Sequence, residues 1–259
     1  MKIAVTGKGG VGKTTLSAML AAALGRGDRT VVAIDADPDS NLAAALGVPV
    51  EQHPVVLSEM RDLVAERTGS RSDPGGFFRL NPKVDDIPDE YAIRVGKIRL
   101  LALGGVNEGG GGCICPASAL VKALLSHLIL GRDDAVVMDM EAGIEHLGRA
   151  TAQSMDALLI VVDGGPWSRQ TARRIRKLAG DLGMTKLFAV VNRAGEQTDL
   201  DAIAAELGDL PIIGRIAQDD RLAAGVMQPA GDGAYAPTNA LADHLATVEA
   251  LLAELKGRI

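Results

Sequence analysis

One run of residues constrains this chain more than any other: Gly7-Lys8-Gly9-Gly10-Val11-Gly12-Lys13-Thr14-Thr15. It follows the short apolar stretch Lys2-Ile3-Ala4-Val5-Thr6, which reads as a strand. It opens the Ala/Leu-rich stretch Thr14 to Leu24, which reads as a helix. A glycine-rich turn of the form G-x-x-x-x-G-K-[ST] between strand and helix points successive backbone N–H groups at phosphate, and the helix N-terminus adds its dipole. Lys13 is then placed to reach the terminal phosphates and the Thr14 hydroxyl to take Mg²⁺. Gly9, Gly10, Val11, Gly12, Lys13, Thr14 and Thr15 are the expected cradle, with ATP or ADP and Mg²⁺ as its ligands.

Further apolar runs at Thr30 to Ile34, Ile98 to Ala102, Ala135 to Met138, Ala157 to Val162, Leu187 to Val191 and Pro211 to Ile216 alternate with helical patterns such as Ala117 to Leu130 and Thr171 to Leu182. Strands apolar on both faces and separated by helices imply an α/β, doubly wound, mostly parallel sheet covered on each side. Aromatics make up only 2 % of the chain, so the core must be aliphatic. Without an internal repeat or a low-complexity linker, residues 1–259 are expected to form a single domain. The stretch near 69–95, rich in Gly, Pro, Asp and Arg, reads as an irregular insertion over the sheet's C-terminal edge.

The string Lys8 to Thr15 resembles the deviant Walker A motif of the MinD/ParA/nitrogenase-iron-protein class of P-loop proteins. The resemblance implies a nucleotide-dependent sandwich homodimer in which Lys8 crosses to the partner's nucleotide and stabilises charge on the transferring phosphoryl group. Two acidic segments match the class. Asp35-Ala36-Asp37-Pro38-Asp39 looks like switch I, with Asp37 expected to position the attacking water and Asp35 or Asp39 to support Mg²⁺. Asp139-Met140-Glu141-Ala142-Gly143 looks like a Walker B segment, with Asp139 expected to hold Mg²⁺ directly or through water and the turn at Gly143 to sense the γ-phosphate. Asn192-Arg193, after the run Leu187 to Val191, matches the class's base-recognition segment, and Arg215 to Gln218 is expected beside the base.

Only two cysteines occur, Cys113 and Cys115, in Cys113-Ile114-Cys115-Pro116. Pro116 favours a first helical turn, which places Cys115 near a helix N-cap, where the thiol pKa falls. Two thiolates supply half of a tetrahedral S₄ site, so a second copy of the chain would most economically supply the rest. A redox-active disulfide and two inert thiols are the competing readings. The four histidines (His53, His127, His146 and His244) read as structural or solvated. Together with Glu141-Ala142-Gly143-Ile144-Glu145-His146-Leu147-Gly148-Arg149, the Walker A string and Cys113 to Pro116 resemble CooC-type ATPases, maturation proteins of nickel-containing carbon monoxide dehydrogenase. That resemblance implies a homodimer holding Ni²⁺ or Zn²⁺ at Cys113 and Cys115, and a client carbon monoxide dehydrogenase.

Rival functions leave recognisable traces. A MinD-like positioning ATPase needs a basic amphipathic tail for membrane. Here Leu241, Leu245, Val248, Leu252 and Leu255 form a stripe flanked by Asp243, Glu249 and Glu254, so packing on the domain is expected. A ParA-like protein would grip nucleic acid; Arg169, Arg173, Arg176 and Lys177 share a helix face, but the net charge is −6. An iron–sulfur reductase of the nitrogenase type separates its cluster cysteines widely, unlike Cys113 and Cys115. No signal peptide or membrane-length apolar segment is evident, which gives a cytoplasmic expectation with neither nucleic acid nor stable membrane insertion.

Overall fold

In a computed structural model of the chain, residues 1–70, 77–104, 115–130, 135–144 and 147–259 are described. In chain order these form β1 (Lys2–Gly7), α1 (Lys13–Leu24), β2 (Val31–Ala36), α2 (Leu42–Ala45), α3 (Arg61–Thr68), α4 (Ile87–Tyr91), β3 (Ile93–Val95), β4 (Ile98–Ala102), α5 (Pro116–Leu130) and β5 (Ala135–Met140). After them come α6 (Arg149–Gln153), β6 (Ala157–Val162), α7 (Pro166–Asp181), β7 (Leu187–Ala194), α8 (Leu200–Leu207), β8 (Ile212–Ala217), β9 (Met227–Pro229), β10 (Tyr235–Pro237) and α9 (Asn239–Arg258).

Eight strands make one sheet in the order β3-β4-β2-β5-β1-β6-β7-β8. All neighbours are parallel except β3, which runs antiparallel to β4. β1 lies between β5 and β6, and the chain winds outward from it in both directions. That arrangement opens a crevice at the C-terminal ends of the strands around β1, the usual ligand position in open α/β sheets. The doubly wound α/β expectation is met.

Alternation along each central strand divides the core. Ile3 and Val5 of β1 face a layer built from α1, α2 and α9. Ala4 faces the other layer, to which α3, α5, α6, α7 and α8 contribute Leu63, Leu124, Ala152, Ile175 and Ile203. Leu241, Val248, Leu252 and Leu255 of α9 are buried and Leu245 packs against the same layer, so the C-terminal stripe covers the sheet.

Several boundaries differ from those expected. Part of the stretch read as irregular supplies α4 and the edge strand β3, which returns to β4 through Gly96. Three residues carry too little periodicity to announce a strand. α7 begins at Pro166, five residues before the expected Thr171, because Pro166 occupies the first helical turn and the Asp163 carboxylate holds Gly165 N–H (2.9 Å) and the Ser168 hydroxyl (2.6 Å). β7 runs past Val191, so Asn192 and Arg193 lie inside the strand. The register with β8 slips between Val191 and Ala194, and Arg193 has φ +54°, a bulge rather than a strand end.

One glycine contact joins segments that meet at the site. Gly47, just beyond α2, has φ +77°, and a Cβ there would lie 1.8 Å from the Met227 carbonyl oxygen. We expect Gly47→Ala to cost more than about 2 kcal/mol, the sum of left-handed backbone strain and the clash. Gly69→Ala, at φ +69° but in open space, should cost only about 1 kcal/mol. Urea denaturation of the two variants checks this; equal losses would mean the contact yields freely.

Candidate nucleotide and metal site

The glycine-rich turn leaves β1 at Gly7 and enters α1 through Gly12. Gly12 is the N-cap residue with φ +90° and ψ +31°, and a Cβ there would stand 2.2 Å from Asn192 Nδ2. Only glycine fits that conformation and that gap. Val11 is buried beneath the turn, while Lys8, Gly9 and Gly10 are exposed. Lys13, in contrast, is only 7 % exposed, and its Nζ lies 3.9 Å from Asp37 Oδ2.

The acids gather by strand register. β2 pairs with β5 so that Asp35 stands directly beside Asp139, and Asp139 in turn stands beside Val5 of β1. Asp139 is fully buried; its Oδ1 accepts from the Ser17 hydroxyl at 3.0 Å, and its Oδ2 has no hydrogen-bond partner among the described residues. Burial pushes its carboxyl up to about 7, with the Asp35 charge adding to the rise and the Thr14 and Ser17 hydroxyls opposing it. Asp35 is 1 % exposed and accepts from Leu42 N–H (2.8 Å) and Asp37 N–H (3.2 Å). Burial raises it to about 6 despite those bonds. Two desolvated carboxylates abreast, one of them with an orphaned oxygen and beside the helix-start Thr14, form a donor set that suits a hard divalent cation. The expected trio Thr14, Asp35 and Asp139 is thus brought together.

Asp37 sits at the mouth of this cluster. Its Oδ1 accepts from Asp39 N–H (3.1 Å) and its carbonyl from the Ser40 N–H (3.0 Å), a tight turn that leaves Asp39 itself exposed. Across the crevice, the Thr6 hydroxyl binds the carbonyls of Glu141 (2.8 Å) and Gly143 (3.0 Å), tying the segment after β5 to β1. Thr6 and Ser17 were not singled out by sequence reasoning. Ser17 was findable, since it lies one helical turn beyond Thr14 on the same face of α1; Thr6 was not, because it reads as an ordinary β-branched strand residue.

Asn192, expected beside the base, lies between the phosphate turn and a cavity. Its Nδ2 donates to the Val11 carbonyl at 2.8 Å and the side chain is buried, so it braces the phosphate turn from below. Beside it a cavity of about 350 Å³ is lined by Gly12, Thr15, Asn192, Arg193, Ala217, Gln218, Asp219 and Leu222, among others. Ala217 and Gln218 fall where the base-flanking segment was expected; Arg215 does not line it.

Of the cysteine pair, Cys113 lies outside the described residues, as do Glu145 and His146 of the family-resembling segment. Cys115 immediately precedes α5. Its Sγ lies 3.2 Å from the Ser118 hydroxyl and accepts from Ser118 N–H at 3.4 Å. Partial burial works to raise this thiol's pKa, but the hydrogen bonds from Ser118 and the backbone outweigh it, and the pKa falls below the ordinary thiol value. Among the described residues no group of three or more His, Cys, Asp or Glu gathers as a metal site, and no helix is long and apolar enough to cross a membrane. Arg169, Arg173 and Arg176 of α7 are engaged within the chain. Arg169 Nε donates to Glu206 Oε2 (2.8 Å), Arg173 to the Glu206 carbonyl (3.0 Å), and Arg176 pairs with Asp209.

The CobQ/CobB/MinD/ParA nucleotide-binding domain model matches residues 2–228. The chain is 44 % identical to the carbon monoxide dehydrogenase accessory protein CooC of Rhodospirillum rubrum, over 99 % of this chain and 98 % of that one. It is 46 % identical to an uncharacterised ATP-binding protein of Methanocaldococcus jannaschii, over 86 % and 87 % of the two chains. Among solved structures, the MinD cell division protein of Aquifex aeolicus superposes with a TM-score of 0.66 at 21 % identity, covering 99 % and 98 % of the chains. A plasmid partition protein of Borrelia burgdorferi bound to AMPPNP gives 0.67 at 15 %, covering 100 % and 99 %. Those two likenesses establish the fold. The phosphate turn, the paired acids, the matching domain model and the end-to-end likeness to CooC agree: this chain belongs to the CooC-like branch of the CobQ/CobB/MinD/ParA family of ATP-binding P-loop proteins.

Proposed function

We propose that this chain is a Mg·ATP-hydrolysing, homodimeric metallochaperone that carries metal on Cys113 and Cys115 of two copies and supports nickel insertion into carbon monoxide dehydrogenase. The observation that carries the nucleotide half is the buried Asp35–Asp139 pair with its orphaned oxygen beside Thr14. The client half rests on the likeness to CooC.

In this reading Lys13 exchanges its contact with Asp37 for the terminal phosphates. Asp37, released, orients the water that attacks the γ-phosphorus as the bond to the ADP oxygen breaks. Thr14, Asp35 and Asp139 hold Mg²⁺, which when bound offsets negative charge on the phosphoryl oxygens. Lys8, exposed at the start of the turn, completes the site of the partner copy. The base lies in the cavity beside Asn192 and Arg193, with Asn192 acting chiefly through the phosphate turn. Cys115, its thiol pKa lowered at the start of α5, offers a thiolate. Two Cys-x-Cys pairs would complete an S₄ set for Ni²⁺ or Zn²⁺, both of which thiolates hold. α5 runs straight toward β5 in sequence and β5 carries Asp139, so metal and nucleotide sites share one element pair through which each can bias the other.

Three outcomes test this. Asp139→Asn should lower Mg²⁺-dependent hydrolysis at least about 100-fold, measured as phosphate release; retained turnover would remove Asp139 from the site. Lys8→Ala should abolish ATP-driven dimerisation in light scattering and slow hydrolysis about tenfold or more, whereas an unchanged rate would sink the cross-interface role. Cys113→Ser should lose nickel in equilibrium dialysis while its ATP affinity stays within about twofold of the parent. Parallel loss of ATP binding would contradict separable sites.

A further inference from the structure

Asp219 lines the cavity beside the phosphate turn and begins the 3-10 turn Asp220–Ala224 that forms its outer wall. Its side chain, 11 % exposed, is held from three directions. Oδ1 accepts from Arg221 N–H at 3.0 Å and from Arg221 Nε at 2.9 Å. Oδ2 accepts from Arg221 Nη2 at 2.6 Å. His244 of α9, itself 8 % exposed, brings Nε2 to 3.2 Å from Oδ2. An ionised carboxylate can only accept, so the ring must carry its proton on Nε2. The Arg221 guanidinium also reaches Asp243 of α9 at 2.8 Å. The cavity wall is therefore anchored to the C-terminal helix by a carboxylate, an imidazole and a bridging guanidinium. Neither Arg221 nor His244 lines the cavity itself.

The anchoring has little purpose in packing alone. The 3-10 turn buries only Leu222, and Arg221 and Asp243 are about 60 % exposed (58 % and 61 %). What the network fixes is the position of the wall that carries Gln218, Asp219 and Asp220, the polar groups facing the cavity opposite Asn192 and Arg193. We propose that His244 and Arg221 are positioning residues for nucleotide base binding: through Asp219 they hold the outer wall of the base cavity against α9, so that preference for a nucleoside triphosphate over bare triphosphate is set in part from the C-terminal helix. This inference rests on reading the cavity as the base site.

The test compares Mg·ATP with Mg·tripolyphosphate, which presents the same phosphate chain without sugar or base, by calorimetric titration of the full chain. His244→Leu and Arg221→Ala should each weaken ATP binding about fivefold or more, the loss of a hydrogen bond to a charged group, and leave tripolyphosphate affinity within about twofold. His244→Gln, whose amide can still donate to Asp219, should recover most of the ATP affinity. Arg221 is exposed, so its variant keeps the test informative if His244→Leu fails to fold. Equal weakening of both ligands would overturn the inference in favour of a general structural role. Unchanged ATP affinity in Arg221→Ala together with His244→Leu would overturn it outright, the base reading surviving. A parent chain that binds tripolyphosphate as tightly as ATP would overturn the base reading and the inference with it.

Discussion

The structure turns on two carboxylates that the sheet forces side by side. Parallel pairing of β2 with β5 sets Asp35 beside Asp139, both out of water and both at the end of the sheet from which α1 springs. Burial of like charges is costly, and both carboxyls respond by holding their protons more firmly. A fold tolerates such a pair when something compensates it. Here the backbone of Leu42 and Asp37 and the hydroxyl of Ser17 compensate in part, and one oxygen of Asp139 is left without a partner. That unmet demand is the feature of the crevice that best supports the proposed Mg²⁺ there.

Everything nearby is arranged around that point by close backbone approach. Gly12 lets the phosphate turn settle onto Asn192, and Gly47 lets the segment following the Asp35 turn settle onto the chain after the 3-10 turn. The Val226 N–H adds a bond to the Ala45 carbonyl at 2.8 Å. The segment after the Asp35 turn, the outer wall of the cavity and α9 are therefore held in direct contact.

Much of this was legible in the sequence because its signals are local. The Walker A string fixed strand, turn and helix together, and apolar runs located β1, β2 and β4 to β8 to within a few residues. Asp139 and Asp35 could be placed at strand ends from the runs before them. What could not be read depends on distant partners. Asn192 was expected beside the base, but its bond to the carbonyl of Val11, 181 residues away, has no local signal. His244 read only as structural or solvated, because its partner Asp219 approaches it only after β8 and α9 have packed. β3 is too short to show a period, and the bulge at Arg193 has no composition signal at all.

The central claim is that nucleotide state and the thiolate site are coupled. Coupling is reciprocal, so it can be read from the metal side alone. The direct measurement is nickel affinity and stoichiometry of the parent chain by equilibrium dialysis, with Mg·ADP and with a non-hydrolysable Mg·ATP analogue. The account predicts about one nickel per two chains, as four thiolates require, and affinities in the two nucleotide states that differ by about fivefold or more. Identical nickel affinity in both states, or one nickel held by each monomer, would contradict it.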